Sequence, residues 1–536
     1  MASRKQRKAK KHTQSNKNSN LAQDQVSYLC RHFPSLIRIT NLFSIINIQK
    51  LLMANGMNPY KDPRSLWNSI GAFILAMITT TFKGVTTLKA ASFEYNQICV
   101  NSNVNPCCDR TIERLFTPAK SKAQTAFKTH DNRQALALTL EDLAKQCTGI
   151  AINQKKRLNV HTDGDRVFNL LKGLVPQLTG IYAVDGSIVS LSNEQNINET
   201  KGSTKAGLKF HGVFDLTTGF FVNYLIDSAV SSERKSLLDM LPDFKIGSLI
   251  FADRGYYGEE VFDDIAKHQC FYIIRGKTNL NPEVESITKW KVKRDSKVDT
   301  FKIDTHTKGE PVTFESVKLQ DILNQLQEVN TNQNYCFDIK IKGGDRIILV
   351  YNPENKDNDP NNPITNWVLL RTNLPDTVSV NIIAKLYRLR WQVELGYKSL
   401  KTSSSFDSGV CGDFYLCKCF MSASIITYTI KLLMAYTAQN KYRNNASSEN
   451  SKPRTISILK TAKYLSSGAC TWFMSHFAID DLVDPIVKKA KRNAIFKTIA
   501  YYLTKGRVSK KQKQRGKTSD CLIEELEQSK PCCAVT

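Results

Sequence analysis

Nowhere does the sequence run to the roughly 18 uninterrupted apolar residues that a membrane-spanning helix needs. The best stretch, "SASIITYTIKLLMAY", has 15 residues and contains Lys431, so it reads as a core helix. The basic N-terminus has no apolar run behind it, which argues against a secretory signal. Metal-finger spacing is missing as well: Cys411, Cys417 and Cys419 are not spaced C-x2-C, and Cys107–Cys108 has no second pair at a suitable distance. The expectation is an intracellular chain with reduced thiols, no membrane partner and no structural zinc. No internal repeat is visible.

Acid is absent from two blocks. Residues 1–20 hold seven Lys/Arg and residues 487–517 hold twelve, with no Asp or Glu in either. Over the whole chain of 536 residues, 75 basic against 49 acidic residues leave a net charge of +26. Such an excess favours a polyanion, most often nucleic acid, and the two blocks read as solvated or phosphate-contacting arms. Hydrophobic content of 41% is ordinary for a globular protein, and the length allows two to four domains.

The texture of the chain changes along its length. Residues 1–24 read as a disordered basic arm. Residues 25–178 are helical in pattern: "SLWNSIGAFILAMITTTFKG" stops near Gly84, and "TTLKAASFEYNQI" and "CDRTIERLFTPA" flank the turn-rich "NSNVNP". Two short helices around a turn suit a DNA-reading helix-turn-helix near 107–116, and any small helical domain equally. Residues 179–277 alternate strand and helix: "GIYAVDGSIVSL", then "AGLKFHGVFD" and "FFVNYLIDSA" around Gly219, a Ser-capped helix at "SSERKSLLDML", the strand "IGSLIFAD", the helix "GEEVFDDIAKHQ" and the strand "CFYIIRG". Three strands followed by helix–strand repeats predict a mixed α/β sheet with helices on its faces. Residues 278–370 read as a β-rich insertion with a hairpin turn at "IKGGDRI" and a polar loop "NPENKDNDPNNP". A helix begins near 377, a helical region covers 409–505, and a basic tail covers 506–536.

Two carboxylates accompany strands. Asp185 lies in "AVDGS", inside or just past the first strand, and Asp253 ends the strand "LIFAD". If the first and fourth strands are neighbours, these acids lie side by side near one edge of the sheet. Their mutual repulsion would raise each pKa unless a cation intervened. A hard divalent ion, Mg²⁺ or Mn²⁺, suits such oxygen ligands. Taken singly, Asp185 also fits a turn and Asp253 an ion pair with Arg254, while Asp215 and Asp227 are competing acids near strand ends.

A third acid sits in "YRLRWQVELGYKSLK", where Tyr387, Arg390, Glu394 and Lys401 follow one another at intervals of three, four and seven. On one continuous helix at about 100° per residue they occupy roughly 60° of arc. Ile382, Leu386, Val393 and Leu400 fill a neighbouring apolar arc. Glu394 then reads either as a surface ion pair with Arg390 or Lys398, or as one edge of an active site.

The spacing Tyr387-x2-Arg390-x3-Glu394-x6-Lys401 resembles the Y-(2)-R-(3)-E-(6)-K signature of bacterial insertion-sequence DDE transposases. "YAVDGS" and "FADRGYYG" resemble that group's two aspartate motifs, and "NWVLLRTNLPD" its lead-in to the signature helix. The resemblance covers residues 179–402. It implies a ribonuclease-H-like catalytic domain with a β-rich insertion, flanked by helical regions. Asp185, Asp253 and Glu394 would be catalytic and hold two Mg²⁺, with Mn²⁺ as substitute. Tyr387, Arg390 and Lys401 would grip double-stranded DNA at the element ends, and a homodimer would bring two ends together. Trp391, by stacking or merely by packing, and Arg254 are further candidates for DNA contact, and Trp290 carries the same ambiguity as Trp391. The resemblance further implies a cytoplasmic, nucleoid-associated protein performing cut-and-paste transposition, with a hairpin route borrowed from the signature. The alternatives are a catalytically silent DNA-binding relic or inhibitor, and a ribonuclease-H-like nuclease without strand transfer.

Overall fold

The computed structural model describes residues 45–56, 63–101, 129–191, 207–277, 279–294, 301–309, 311–327, 335–351, 367–404 and 414–445, with a few isolated positions besides. The N-terminal arm, the helix-turn-helix candidate at 107–116, the polar loop at 352–363, the 487–517 block, Cys107, Cys108 and Cys411 lie outside the described residues, as does most of the 409–505 region and of the basic tail.

The helices before the sheet are α1 (Ile45–Ala54), α2 (Pro63–Phe82), α3 (Leu88–Asn101), α4 (Thr129–Arg157) and α5 (Asp163–Leu174). Gly84, with φ of 77°, follows α2 in the left-handed region that favours glycine. The sheet begins with β1 (Gly180–Ser190), β2 (Gly207–Asp215) and β3 (Phe221–Ser228), which pair antiparallel in sequence order. Helix α6 (Glu233–Met240) starts at Ser232, whose hydroxyl accepts the Lys235 amide, as expected of the Ser cap. Then come β4 (Ser248–Ala252), α7 (Glu259–Lys267) and β5 (Phe271–Arg275). Strand β4 lies parallel to β1, and β5 parallel to β4. Three antiparallel strands joined to two parallel ones, in the order β3-β2-β1-β4-β5, form the mixed α/β sheet expected from the sequence pattern.

The β-rich region supplies β6 (Glu283–Arg294), β7 (Phe301–Lys308), β8 (Val312–Lys318), α8 (Leu319–Gln327), β9 (Tyr335–Ile341), β10 (Arg346–Tyr351) and β11 (Trp367–Thr372). It does not stand apart as a second layer. Strand β11 pairs antiparallel with β5, so the described strands make one sheet of eleven. The turn between β9 and β10 uses Gly343 and Gly344 at φ of 104° and 92°. Its anchor is polar. Arg371 of β11 ion-pairs with Asp345 of this turn at 2.8 Å and with Glu259 of α7 at 2.6 Å.

Both faces of the first five strands are covered, and alternation along the strands sorts side chains between them. Ala183, Leu249, Phe251 and Ile273 enter the large core shared with the helical regions. Val184, Ile250, Ala252, Tyr272 and Ile274 enter a second core beneath α6 and α7. On the first face lie α9 (Val380–Leu389), α10 (Trp391–Ser404) and α11 (Phe414–Asn445). Helix α11 is longer than its sequence pattern suggested. Its residues Phe414–Asn440 are long and apolar enough to cross a membrane by length and composition, yet 89% of the most apolar window is buried inside the protein. Lys431 lies over the Phe82 ring at 4.7 Å, which lets a cation sit within that core.

Helix α11 is tied to the sheet by two buried tyrosines. Tyr428 donates to the Gly219 carbonyl at 2.7 Å and Tyr436 to that of Thr218 at 2.6 Å. Asp215 caps the same β2–β3 turn, accepting from the Thr217 hydroxyl at 2.7 Å and the Thr218 hydroxyl at 2.8 Å. It pairs in register with Tyr182, at the end of β1 away from Asp185. That settles Asp215 as a turn residue. Asp227 is exposed on β3, two strands from β1, where its carboxylate accepts the Ser228 amide.

Helix α10 meets the sheet at Gly396, where a Cβ would sit 2.8 Å from the Phe214 ring and 3.1 Å from that of Phe221. Those rings are fully buried and have no room to retreat. Gly396→Ala should therefore destabilise the protein by about 1–3 kcal/mol through overpacking. The opposing gain in helix propensity is at most about 1 kcal/mol. Denaturant titration checks this; an alanine variant as stable as the parent would show that α10 does not press on these rings.

Candidate active site

The parallel pairing of β1 with β4 sets the site. The last paired residues are Ala183 and Phe251. Asp185 and Asp253 each follow two positions later, near enough that the Asp253 charge acts on Asp185. A step of two keeps each on the face of Ala183 and Phe251, the face against which α9 and α10 lie. Strands β1 and β4 are third and fourth in the sheet order, so the acids stand in its interior and not near an edge as expected. Asp185 lies within β1, its Oδ1 accepting the Gly186 amide at 3.0 Å. Asp253 caps the short 3-10 turn Arg254–Tyr256, accepting the Gly255 amide at 2.8 Å. These local bonds hold each carboxylate near its own backbone.

The stretch carrying Glu394 is not one helix. Helix α9, capped by Ser379, ends at Leu389, and α10 begins at Trp391. At the junction the Arg390 amide bonds the Tyr387 carbonyl and the Val393 amide bonds the Arg390 carbonyl, both at 3.0 Å. Bonds to the third preceding residue wind the chain more tightly than an α-helix. Arg390 itself keeps helical φ and ψ of −48° and −36°, so the chain runs on through one tightened turn, with Tyr387 and Glu394 both beside Arg390.

The Arg390 guanidinium lies among the acids. Nη2 donates to Glu394 Oε1 at 3.0 Å, and Nη1 lies 3.5 Å from Asp185 Oδ2. The Glu394–Arg390 pair foreseen as a surface feature does form, but only 18% of the Arg390 side chain is exposed and it also serves Asp185. Tyr387 is close to Arg390, Arg275 and Asp253, and burial pushes its phenol up to about 12. The structure thus brings together Asp185, Asp253, Glu394, Arg390 and Tyr387.

Three candidates lie further out. Lys401 is half-buried about 10 Å along α10 from Glu394, at 1.5 Å rise per residue. Trp391 is half-buried with Lys398 Nζ over its ring at 5.8 Å. Arg254 is exposed in the turn after Asp253.

The electrostatics of the site are unbalanced. Burial pushes the Asp185 carboxyl up to about 7, Arg390 opposes that rise, and Asp253 and Glu394 add to it. Three acids against one guanidinium leave excess negative charge, and oxygen donors of this kind suit a hard divalent cation. As they stand, no three Asp, Glu, His or Cys groups among the described residues lie close enough to hold an ion. The guanidinium keeps Asp185 and Glu394 apart, so a cation would have to replace it between them.

Sequence reading missed two residues here. Glu233 follows the Ser232 cap as the first residue of α6, and its carboxylate lies against both aspartate turns. A Cβ at Gly255 would fall 1.7 Å from its Oε2 and one at Gly186 3.4 Å from its Oε1. Lys209, 3.6 Å away, is its ion-pair partner. The glycines that follow the two aspartates were the available signal. Tyr397, three residues after Glu394, is buried and donates to the Asp185 carbonyl at 2.6 Å. Nothing in its spacing separated it from an ordinary core aromatic.

Residues 176–408 match the family model described as the Transposase DDE domain, a little under half of the chain. The transposase for insertion sequence element IS1151 of Clostridium perfringens is 23% identical over 55% of this chain and 64% of its own length. That for IS231D of Bacillus thuringiensis subsp. finitimus is 26% identical over 37% of this chain and 43% of its own. The matched region thus spans less than two thirds of either relative. Among solved structures, the piggyBac transposase synaptic complex with hairpin DNA overlaps 82% of this chain and 77% of that one, at 10% identity and a TM-score of 0.36. A likeness at that level adds nothing to the strand order described above.

Asp185 yields a pH prediction. Its carboxyl moves from 3.8 to about 7 on folding, so the folded protein keeps a proton that the unfolded chain releases. Rising pH therefore removes stability across that window, and the loss is complete above about 7. In metal-free buffer the melting temperature should fall with rising pH more steeply for the parent than for Asp185→Asn. Parallel curves for the two proteins would show that this carboxyl is not perturbed.

Proposed function

We propose that this chain is a transposase that cleaves DNA strands at the ends of an insertion sequence and joins them to target DNA. The observation that carries the reading is the pairing of Asp185 and Glu394 with Arg390, on which the charge of Asp253 also acts, within the stretch that matches a transposase DDE domain. Asp185, Asp253 and Glu394 hold two Mg²⁺ ions, for which Mn²⁺ can substitute. When bound, such ions supply an activated water or 3′-hydroxyl and neutralise charge at the leaving oxygen.

The chain's own groups place the DNA. Arg390, displaced from between Asp185 and Glu394, turns a planar guanidinium to a backbone phosphate, where paired N–H donors suit the phosphate oxygens. Tyr387 stands beside Arg390 and offers its hydroxyl to the same strand. Lys401 extends positive charge along α10, and Arg254 extends it from the Asp253 turn. Trp391 gives a half-exposed ring on which a base can stack. In this reading Tyr387, Arg390, Glu394 and Lys401 play the parts that the Y-(2)-R-(3)-E-(6)-K resemblance implies, and a hairpin intermediate follows from it. Two element ends must meet, so the working form is a homodimer on double-stranded DNA, acting in the cytoplasm at the nucleoid.

A binding-only relic has no use for three carboxylates gathered beside one arginine, and a simple nuclease would make no new strand junctions. Labelled DNA from the two flanks of the gene separates these readings. Mg²⁺-dependent nicking at a defined end should be followed by joined products. Glu394→Gln should lower both by more than about a hundredfold, since it removes a ligand and not merely a ligand's neighbour. Cleavage without joining would favour the nuclease, and tight binding without cleavage the relic.

A further inference from the structure

Asp185 and Glu394 belong to elements 200 residues apart in sequence, and a direct tie holds them in place. The Tyr397 hydroxyl donates to the Asp185 carbonyl at 2.6 Å and accepts the Gly212 amide at 3.1 Å. Asp185 and Gly212 are register partners of β1 and β2. One hydroxyl on α10 therefore spans a rung of the sheet at the residue carrying the first acid. Its own residue lies one helical turn after Glu394, on the same side of α10 within about 60°. The ring is wedged between Phe210 at 5.9 Å and Phe221 at 5.2 Å, and is 5% exposed. The ring packing locates α10 on the sheet. The hydroxyl sets how far along β1 the Glu394 turn sits.

We propose that Tyr397 is a positioning residue of this site: its hydroxyl holds the Glu394 turn at a fixed distance from Asp185, so that both acids meet one divalent cation. The inference rests on the transposase reading of the three acids. Tyr397→Phe keeps the ring and removes only the hydroxyl. Tyr428→Phe is the control, because Tyr428 is equally buried and also donates to a backbone carbonyl, at the far end of β2. Any general cost of losing a buried tyrosine hydroxyl appears in both.

The first readout is Mn²⁺ binding to the DNA-free full-length protein, followed by the loss of the free-ion paramagnetic resonance signal. Loss of groups that orient metal ligands typically weakens metal affinity by 10–100-fold. Tyr397→Phe should weaken Mn²⁺ binding by about tenfold or more, and Tyr428→Phe should not. In the cleavage assay, Tyr397→Phe should need proportionally more Mg²⁺ for half-maximal nicking and approach the parental rate at saturation. If the parent binds Mn²⁺ and nicks DNA while the two variants behave alike, the role of Tyr397 is overturned and the transposase reading stands. If the parent neither binds Mn²⁺ nor nicks its flanks, both are overturned.

Discussion

The structure around the site depends on the parallel pairing of β1 with β4. Both strands are buried, and their register brings Asp185 and Asp253 near each other, two residues past the last paired positions. Apolar burial on both faces holds that register, since a one-residue slip would exchange the two cores beneath Phe251 and Ala252. Two carboxylates brought near in this way repel each other. Hydrophobic packing thus forces an electrostatic conflict that other elements must answer.

Helices α9 and α10 answer it. The tight turn at Arg390 brings a cation to Asp185 and a third acid, Glu394, to the same guanidinium. Burial raises the Asp185 carboxyl, Arg390 pulls it back, and Asp253 and Glu394 add to the rise. A site with excess negative charge and an arginine available to move is suited to exchanging internal pairing for a cation and a phosphate. The proposed chemistry rests on that exchange. Glu233, with Lys209 as its counter-ion, closes the side of the site next to α6.

Much of the fold was legible because it follows from local pattern. Strand alternation, the Ser232 cap, and the glycines at 84, 219, 343 and 344 all mark features that the structure contains. Asp185 and Asp253 could be placed because each ends an apolar run. What escaped depends on contacts distant in sequence. The tightened turn at Arg390 was invisible because ideal helical spacing assumes bonds to the fourth preceding residue. The joining of β11 to β5 could not be read from strands that look alike. Helix α11 runs past the 15-residue apolar stretch at both ends, where Lys418 and the polar residues after Tyr436 interrupt the apolar run without ending the helix. Glu233 and Tyr397 matter through partners some 50 and 200 residues away, and no local spacing records those.

The central claim is that Arg390 holds, between Asp185 and Glu394, the place a divalent cation takes. Crystals grown with and without Mn²⁺ test it most directly, through anomalous scattering from the ion. The account predicts Mn²⁺ bound by Asp185, Asp253 and Glu394, with the Arg390 guanidinium turned away from Asp185. Mn²⁺ bound elsewhere, or an Arg390 that keeps both of its carboxylate partners in the presence of the ion, would contradict it.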